Sequence, residues 1–282
     1  MTTAVKAARK TRAPRKSYRI PKALPQTENG LSRIPSHSEL PEIPAFSAVP
    51  LPAWKRILDV LCILISLPVL MPLIAAITLW IKLASQGPAL FRQERIGRNG
   101  KRFVLYKFRS MRMNVETRRH ENHFRNLVRL DKPMVKLDLL CDSRLILGGC
   151  ILRAAGLDEL PQLLNVLRGE MSLVGPRPCL VEEFRFFNAR QRERFHVLPG
   201  LTGIWQVHGK GVSTFNEMNA MDALYVRRFS PAMDLGIMLR TPLALLQQMR
   251  QVVRQNRAEI ESPGSERSEG TPLAGYNPQQ LG

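Results

Sequence analysis

Between Val60 and Ile81 the chain runs for 22 residues without a charged side chain. At about 1.5 Å per residue, a helix of that length measures ~33 Å and matches the hydrocarbon core of a bilayer. A helix that is apolar on every face belongs against lipid, not against one wall of a soluble core. Pro68 and Pro72 stand near its middle, four residues apart on one face, and each removes a backbone donor and kinks a helix. Lys55 and Arg56 precede the run, and Lys82, Arg92, Arg95 and Arg98 follow it, so the positive-inside rule places both ends on the cytoplasmic side. Two architectures satisfy these facts. One is a re-entrant helix broken at Pro68 or Pro72, dipping into one leaflet; the other is an ordinary span with a proline kink. Trp54 and Trp80 bracket the segment, as aromatic residues do at headgroup level. Asp59 is costly in lipid unless paired, and Arg56, three residues earlier, is the expected partner.

The rest of the 282 residues divides around this segment. Residues 1–52 form a basic, Pro-rich arm: the first fifty carry nine Lys/Arg, three acidic residues and seven of the 21 prolines, with no apolar period. Such a stretch buries too little surface to offset its ordering entropy and is expected to be disordered. Residues 53–86 hold the membrane helix, 87–256 a cytoplasmic domain, and 257–282 a Ser/Gly/Pro/Gln-rich tail. The net charge of +19 predicts an anionic partner. With aromatics at 6% a base-stacking surface is disfavoured, so nucleic acid is not expected and the anionic inner leaflet is. Cys62, Cys141, Cys150 and Cys179 show no metal or disulfide spacing. His120 and His123 read as surface residues.

Within the domain, Phe103–Phe108 is the good strand signal, with Gly97–Gly100 as the turn before it. Residues 113–130 are polar and helical in pattern. Leu157, Leu160, Leu163, Leu164 and Leu167 recur at helical spacing, and Pro161, tolerated only in a first turn, starts that helix near Asp158. Asp158 and Glu159 then admit two readings. Asp is a favoured N-cap and Glu complements the helix dipole. The pair is also two adjacent carboxylates in a basic neighbourhood of Lys107, Arg109, Arg153 and Arg177. That set has the chemistry to hold a divalent metal and a polyphosphate together. Gly175-Pro176-Arg177-Pro178 is a rigid turn that aims one guanidinium. Glu182–Val197 and Asp234–Val253 are amphipathic, suited either to a membrane surface or to a core-facing position.

Several stretches, taken in order, carry a resemblance: Lys55-Arg56-x-x-Asp59, the Pro-broken apolar run, Gly87-Pro88-x-x-Phe91-x-Gln93-x-Arg95-x-Gly97, Lys107-Phe108-Arg109-Ser110-Met111, Leu157-Asp158-Glu159-Leu160-Pro161-Gln162, Gly175-Pro176-Arg177-Pro178, Pro199-Gly200-Leu201-Thr202-Gly203 and Trp205-Gln206-Val207. Over about residues 53–250 the chain resembles the bacterial sugar transferases, monotopic polyprenyl-phosphate hexose-1-phosphate transferases that begin exopolysaccharide, capsule or O-antigen synthesis. The resemblance implies an α+β, mostly helical fold, with a re-entrant membrane helix, interfacial amphipathic helices and a small cytoplasmic catalytic domain at the bacterial inner membrane. It also implies a reaction: Asp158 attacks the β-phosphorus of a UDP-sugar, UMP leaves, and undecaprenyl phosphate takes the phosphosugar. Glu159 then matches a Mg²⁺ ligand, Arg153 and Arg177 match phosphate-contacting arginines, and Lys107 and Arg109 lie in the corresponding basic strand. Pro72, with Pro68 as second candidate, matches the helix-breaking proline.

The chain departs from the family pattern in three places: Ala155-Gly156 before Leu-Asp-Glu, Leu198 before Pro-Gly, and His208-Gly209-Lys210-Gly211 after Trp-Gln-Val. Galactose or glucose is the favoured sugar, an N-acetylhexosamine the alternative. Asp222 and Tyr225 fit the family's Asp-x-x-Tyr stretch or a plain packing role. The resemblance leaves self-association into a homo-oligomer open. A non-enzymatic, membrane-anchored basic adaptor is the competing class, and it leaves the carboxylate pair without a purpose.

Overall fold

The computed structural model describes residues 50–112, 124, 126–128, 130–134 and 145–261, with side chains as far as residue 254. The arm before residue 50, the tail beyond 261, the His120/His123 pair, Cys141 and most of the 113–130 segment lie outside the described residues. The apolar run forms one 32-residue helix, α1, Ala53–Ala84, and helical structure continues through both Pro68 and Pro72 without the expected break. Both prolines are exposed. The Ser66 hydroxyl donates to the carbonyls of Cys62 (2.8 Å) and Ile63 (3.0 Å), the kind of local side-chain bond that accompanies proline in apolar helices.

Six further elements build the domain from residue 90 to residue 180. β1 (Leu90–Ile96) and β2 (Arg102–Phe108) form an antiparallel hairpin, in register from Leu90↔Phe108 to Ile96↔Arg102. Its turn carries Asn99 at φ 54° and Gly100 at φ 73°, left-handed conformations that Asn and Gly reach at least cost. α2 (Gly149–Ala154) is followed by a 3₁₀ turn, Leu157–Gln162, that runs into α3 (Leu163–Leu167). β3 (Ser172–Val174) and β4 (Cys179–Leu180) follow, and β4 extends the hairpin sheet along the free edge of β1. Two 3₁₀ turns, Glu183–Phe186 and Gln191–His196, lead to β5 (Gly200–Thr202), parallel to β3, then α4 (Ile204–His208), α5 (Phe215–Arg228) and α6 (Pro231–Glu261). The fold is mostly helical with a small sheet region, as expected. The strand β1 carries no strand signal because its inward positions include Gln93 and Arg95, so apolar alternation is missing.

One stripe of α1 docks along this domain while the opposite face stays bare. Ile63 enters a core cluster with Leu105, Val166, Val174, Tyr225 and Ile237. Ile77 and Ile81 enter a second cluster with Ala89, Phe108, Ile146 and Leu152. On the other side Ile57, Leu61, Leu64, Ile65, Val69 and Leu83 are exposed, an apolar surface larger than a soluble monomer leaves bare. The Glu182–Val197 segment is not a surface helix. Phe184, Phe187 and Phe195 are buried against one another at ring separations of 5.3 and 5.7 Å, which overturns the membrane-surface alternative for that stretch.

The charged residues of α1 are fastened inward. Lys55, 2% exposed, donates to the Asp234 carboxylate (2.6 Å), the Tyr225 hydroxyl (2.8 Å) and the Val174 carbonyl (2.9 Å). Asp59 does not pair with Arg56; it accepts from the Ser172 hydroxyl and the Leu173 amide, both at 3.0 Å. Arg56 instead donates to the carbonyls of Val166 and Leu167 at the end of α3. The Asp234→Ala variant leaves a buried ammonium with neutral partners only, at an expected cost of about 3–5 kcal/mol. Denaturant melts in detergent check this, and combining Lys55→Met with Asp234→Leu should restore most of the loss.

Candidate active site

Gly156 at φ +69° is a residue that no side chain occupies easily, and it turns the chain from α2 into the 3₁₀ segment. The position before the first helical residue is therefore glycine, and no side chain caps this start. Asp158 is the second residue of the turn, so the capping reading is set aside. Pro161 does not fall in the first turn: it is the fifth residue of a 3₁₀ segment, and α-helical structure begins only at Leu163, while Leu167 ends the run as the leucine spacing predicts. Asp158, 8% exposed, and Glu159, half-buried, open onto a cavity of about 420 Å³. That volume is ordinary for a small-molecule site.

The same cavity gathers Lys107 from β2, Arg153 from α2, Arg177 from the loop after β3 and Arg95 from β1. Lys107 Nζ lies 3.7 Å from Glu159 Oε1. Arg109, expected beside them, is not part of the wall. Its guanidinium is buried and donates to the carbonyls of Gln86 (2.7 Å) and Ser85 (3.0 Å), closing the C-terminal end of α1. Lys107 belongs to β2, whereas Arg109 lies just past its end at Phe108, its amide still bonded to Ala89 O at 2.8 Å.

The Gly-Pro-Arg-Pro loop is held at every residue. Gly175 donates to Thr202 O (2.9 Å), Pro176 O accepts from Gly200 N (2.8 Å), Arg177 O accepts from Arg194 (2.7 Å) and Pro178 O from Arg95 (3.1 Å). The two backbones cross so closely that a Cβ on Gly200 would sit 2.0 Å from Gly175 N, so only glycine fits. Arg177 Nη1 contacts both oxygens of Glu183 at 3.2 Å. Burial works against the Arg177 charge, but Glu183 outweighs it and holds the pKa above the ordinary guanidinium value. Arg95 gains less: burial, with the neighbouring Arg177 charge, lowers it to about 10. Burial also raises Glu183, yet Arg177 and Arg95 together hold it below the usual carboxylate range. Two guanidinium groups thus share one carboxylate beside the cavity, which leaves positive potential for an anion.

The bacterial sugar transferase family matches residues 51–248, which takes in α1 and all of this site. The chain belongs to that family. The transferase is 42% identical over 200 residues to the UDP-glucose:undecaprenyl-phosphate glucose-1-phosphate transferase of Caulobacter vibrioides, covering 68% of this chain and 69% of that one. It is 36% identical over 187 residues to the exopolysaccharide production protein ExoY of Sinorhizobium fredii, covering 66% and 83%. It is 41% identical over 156 residues to the galactosyl transferase CpsE of Streptococcus agalactiae, of which it spans only 34%, with 55% of this chain aligned.

Sequence reasoning missed two supports of this transferase's site. Glu183, which orients Arg177, lay in a stretch read only as amphipathic. Arg194 reaches Arg177 from one side and lies 3.0 Å from Asp222 Oδ2 on the other, so the Asp-x-x-Tyr stretch splits: Asp222 backs the site and Tyr225 backs α1. Among the described residues no group of three or more metal-ligating side chains occurs. The adjacent Asp158 and Glu159 nevertheless suit Mg²⁺, which takes one or two carboxylates and completes its shell with water and substrate phosphate.

Burial raises the Asp222 pKa to about 6 against the pull of Arg194. An unfolded Asp titrates near 3.9, so between about pH 4 and 6 the folded state holds more protons, and stability falls as pH rises through that window. The permanently neutral Asp222→Asn lacks this decline. Denaturant midpoints of wild type minus variant should therefore be highest at pH 4 and drop to a plateau above pH 6.

Proposed function

We propose that this transferase moves hexose-1-phosphate, galactose or glucose, from a UDP-sugar to undecaprenyl phosphate, as the first step of exopolysaccharide, capsule or O-antigen synthesis. One observation carries the reading: a carboxylate pair, Asp158 and Glu159, shares a single cavity with Lys107, Arg153 and Arg177 in a chain of this family. A capping or purely structural pair needs no such cluster of cations around an open cavity. The names of the Caulobacter and Streptococcus relatives support a glucose or galactose donor.

In this reading the Asp158 carboxylate attacks the β-phosphorus of the donor. The bond to the bridging oxygen breaks and UMP departs with the electron pair. An oxygen of the lipid phosphate then attacks the same phosphorus, the bond to Asp158 breaks, and the carboxylate is regenerated with the hexose on a lipid diphosphate. Arg177, held by Glu183, and Arg153 stabilise charge on the transferring phosphoryl group. Lys107, close to Glu159, adds a third cation to that wall. Bound Mg²⁺, held by Glu159, would neutralise the diphosphate and make UMP a better leaving group.

The membrane geometry has its own support. A helix crossing the bilayer puts its ends some 30 Å apart on opposite sides. Here the first turn of α1 is locked to β3, α5 and α6, while its end is closed by Arg109 and Trp80 reaches Leu147 O at 3.1 Å. Both ends are fastened to the same domain and both flanks are basic, which favours both ends of α1 on the cytoplasmic side of the inner membrane, the helix entering one leaflet unbroken and not crossing it. α6 adds Leu235, Leu239, Leu243 and Leu246 on an exposed face, with Arg240, Arg250 and Arg254 nearby to meet anionic headgroups.

The test is UMP release from a panel of UDP-sugars by detergent-solubilised protein with Mg²⁺ and undecaprenyl phosphate. Wild type should turn over UDP-glucose or UDP-galactose, and Asp158→Asn should lose about a thousandfold or more while keeping its fold. Removing Mg²⁺ with a chelator should suppress turnover reversibly. Equal rates in wild type and Asp158→Asn would contradict the mechanism.

A further inference from the structure

The cavity has a second, chemically different wall. Opposite in character to the charged residues, Thr202 from β5, Gln206 from α4, and Thr241 and Gln248 from α6 present neutral hydroxyls and amides to the same space. The Thr202 and Thr241 hydroxyls lie 2.8 Å apart, and the Thr241 hydroxyl donates to the Ile237 carbonyl at 2.8 Å. Thr241 has one proton and that carbonyl takes it, so Thr202 donates to Thr241 and the pair offers acceptor lone pairs only. Gln206 is half-buried, and its Oε1 is shielded from water without a hydrogen-bond partner. The amide rests on the backbone crossing that carries Arg177: a Cβ on Gly203 would come 2.7 Å from Gln206 Oε1 and 2.2 Å from Gly175 O. A shielded acceptor left unpaired is uncommon in a folded protein, and on a side chain that lines the cavity it is one a ligand's donor would satisfy once the amide turns toward that space.

We propose that Gln206 and the Thr202–Thr241 pair read the hydroxyl groups of the transferred hexose and set which hexose is accepted. The inference rests on the sugar-phosphate transfer argued above and deepens it. A hexose is uncharged and carries several O–H groups, each able to donate, and a wall of neutral acceptors answers that chemistry. The uracil end is the other candidate for this wall. Trp205 is the aromatic side chain that lines the cavity, but it is 3% exposed and its indole N–H is committed to Ser213 at 2.7 Å, so it offers no open face for a base to stack on. Gln206 also adjoins the loop of the phosphate-contacting Arg177, as a reader of the sugar on the β-phosphate must.

The experiment compares wild type, Gln206→Leu and Thr241→Val in UMP release from UDP-glucose and UDP-galactose, with UMP inhibition measured in each. UMP binding also confirms that each variant is folded. The ratio of kcat/KM for the two epimeric donors should change about tenfold or more in at least one variant, while the UMP inhibition constant stays within about twofold of wild type. Thr241→Ser, which keeps the hydroxyl, should restore the wild-type ratio. An unchanged donor ratio overturns the inference alone, and so does weakening of UMP in step with the donors, which assigns the wall to the nucleotide. Absence of UMP release by wild type from every donor overturns the transfer reading, and this inference falls with it.

Discussion

A lysine with no access to water decides where everything else in this molecule can sit. Lys55 is enclosed by the Asp234 carboxylate, the Tyr225 hydroxyl and the Val174 carbonyl, three groups from three elements distant in sequence. Burying an ammonium is tolerable only with such complete pairing, so the helix that begins at Ala53 has one position against the domain. Asp59, one turn on, repeats the constraint on the same strand through Ser172 and Leu173. β3 ends at Val174, and the next four residues are the Gly-Pro-Arg-Pro loop that carries Arg177. The apolar helix and the cationic wall of the cavity are therefore fixed to each other through three residues of strand. In the proposed reaction one site receives first a water-soluble sugar nucleotide and then a lipid phosphate, and that registration serves both.

The cavity's electrostatics follow from an imbalance deliberate in its arithmetic. Arg95 and Arg177 share Glu183, and neither loses its charge, although burial brings Arg95 down to about 10. Lys107 stands near Glu159 but at 3.7 Å, a loose pair that a phosphate could outcompete. Backbone bonds at each residue of the loop keep Arg177 in place before any substrate arrives, which is the preorganisation that phosphoryl transfer rewards. Behind it, Asp222 and Arg194 form a second layer that supports the loop through its backbone.

Some of this was legible in the residues and some was not, for reasons that are local. A 22-residue run free of charge permits few structures, so α1 was readable, and the leucine spacing gave a helical run near Leu157–Leu167; that its first half is a 3₁₀ turn with Pro161 inside it was not. Asp59 was assigned to Arg56 because sequence spacing offers only neighbours on the same helix; its partners lie more than a hundred residues away. Arg109 was placed with Lys107 because both are basic residues of one stretch; its partners, the carbonyls of Ser85 and Gln86, are more than twenty residues away and no spacing announces them. β1 escaped notice because an arginine and a glutamine face inward, and the Phe184–Phe195 stretch stayed open between surface and core because 3₁₀ turns disperse the periodicity that marks a helix face. The neutral wall was invisible for a further reason. Thr202, Gln206 and Thr241 come from three elements, and no spacing in the sequence relates them.

The central claim is that Asp158 carries the phosphosugar between two halves of one reaction. Incubating the purified transferase with its UDP-sugar and Mg²⁺ but no lipid acceptor, quenching in acid and mapping peptides by mass spectrometry tests that claim without reference to turnover. The account predicts one phosphohexose added to the peptide containing Asp158, absent from Asp158→Asn and discharged when undecaprenyl phosphate is supplied. UMP release that requires the lipid acceptor, with no adduct on that peptide at any time before the quench, would contradict it.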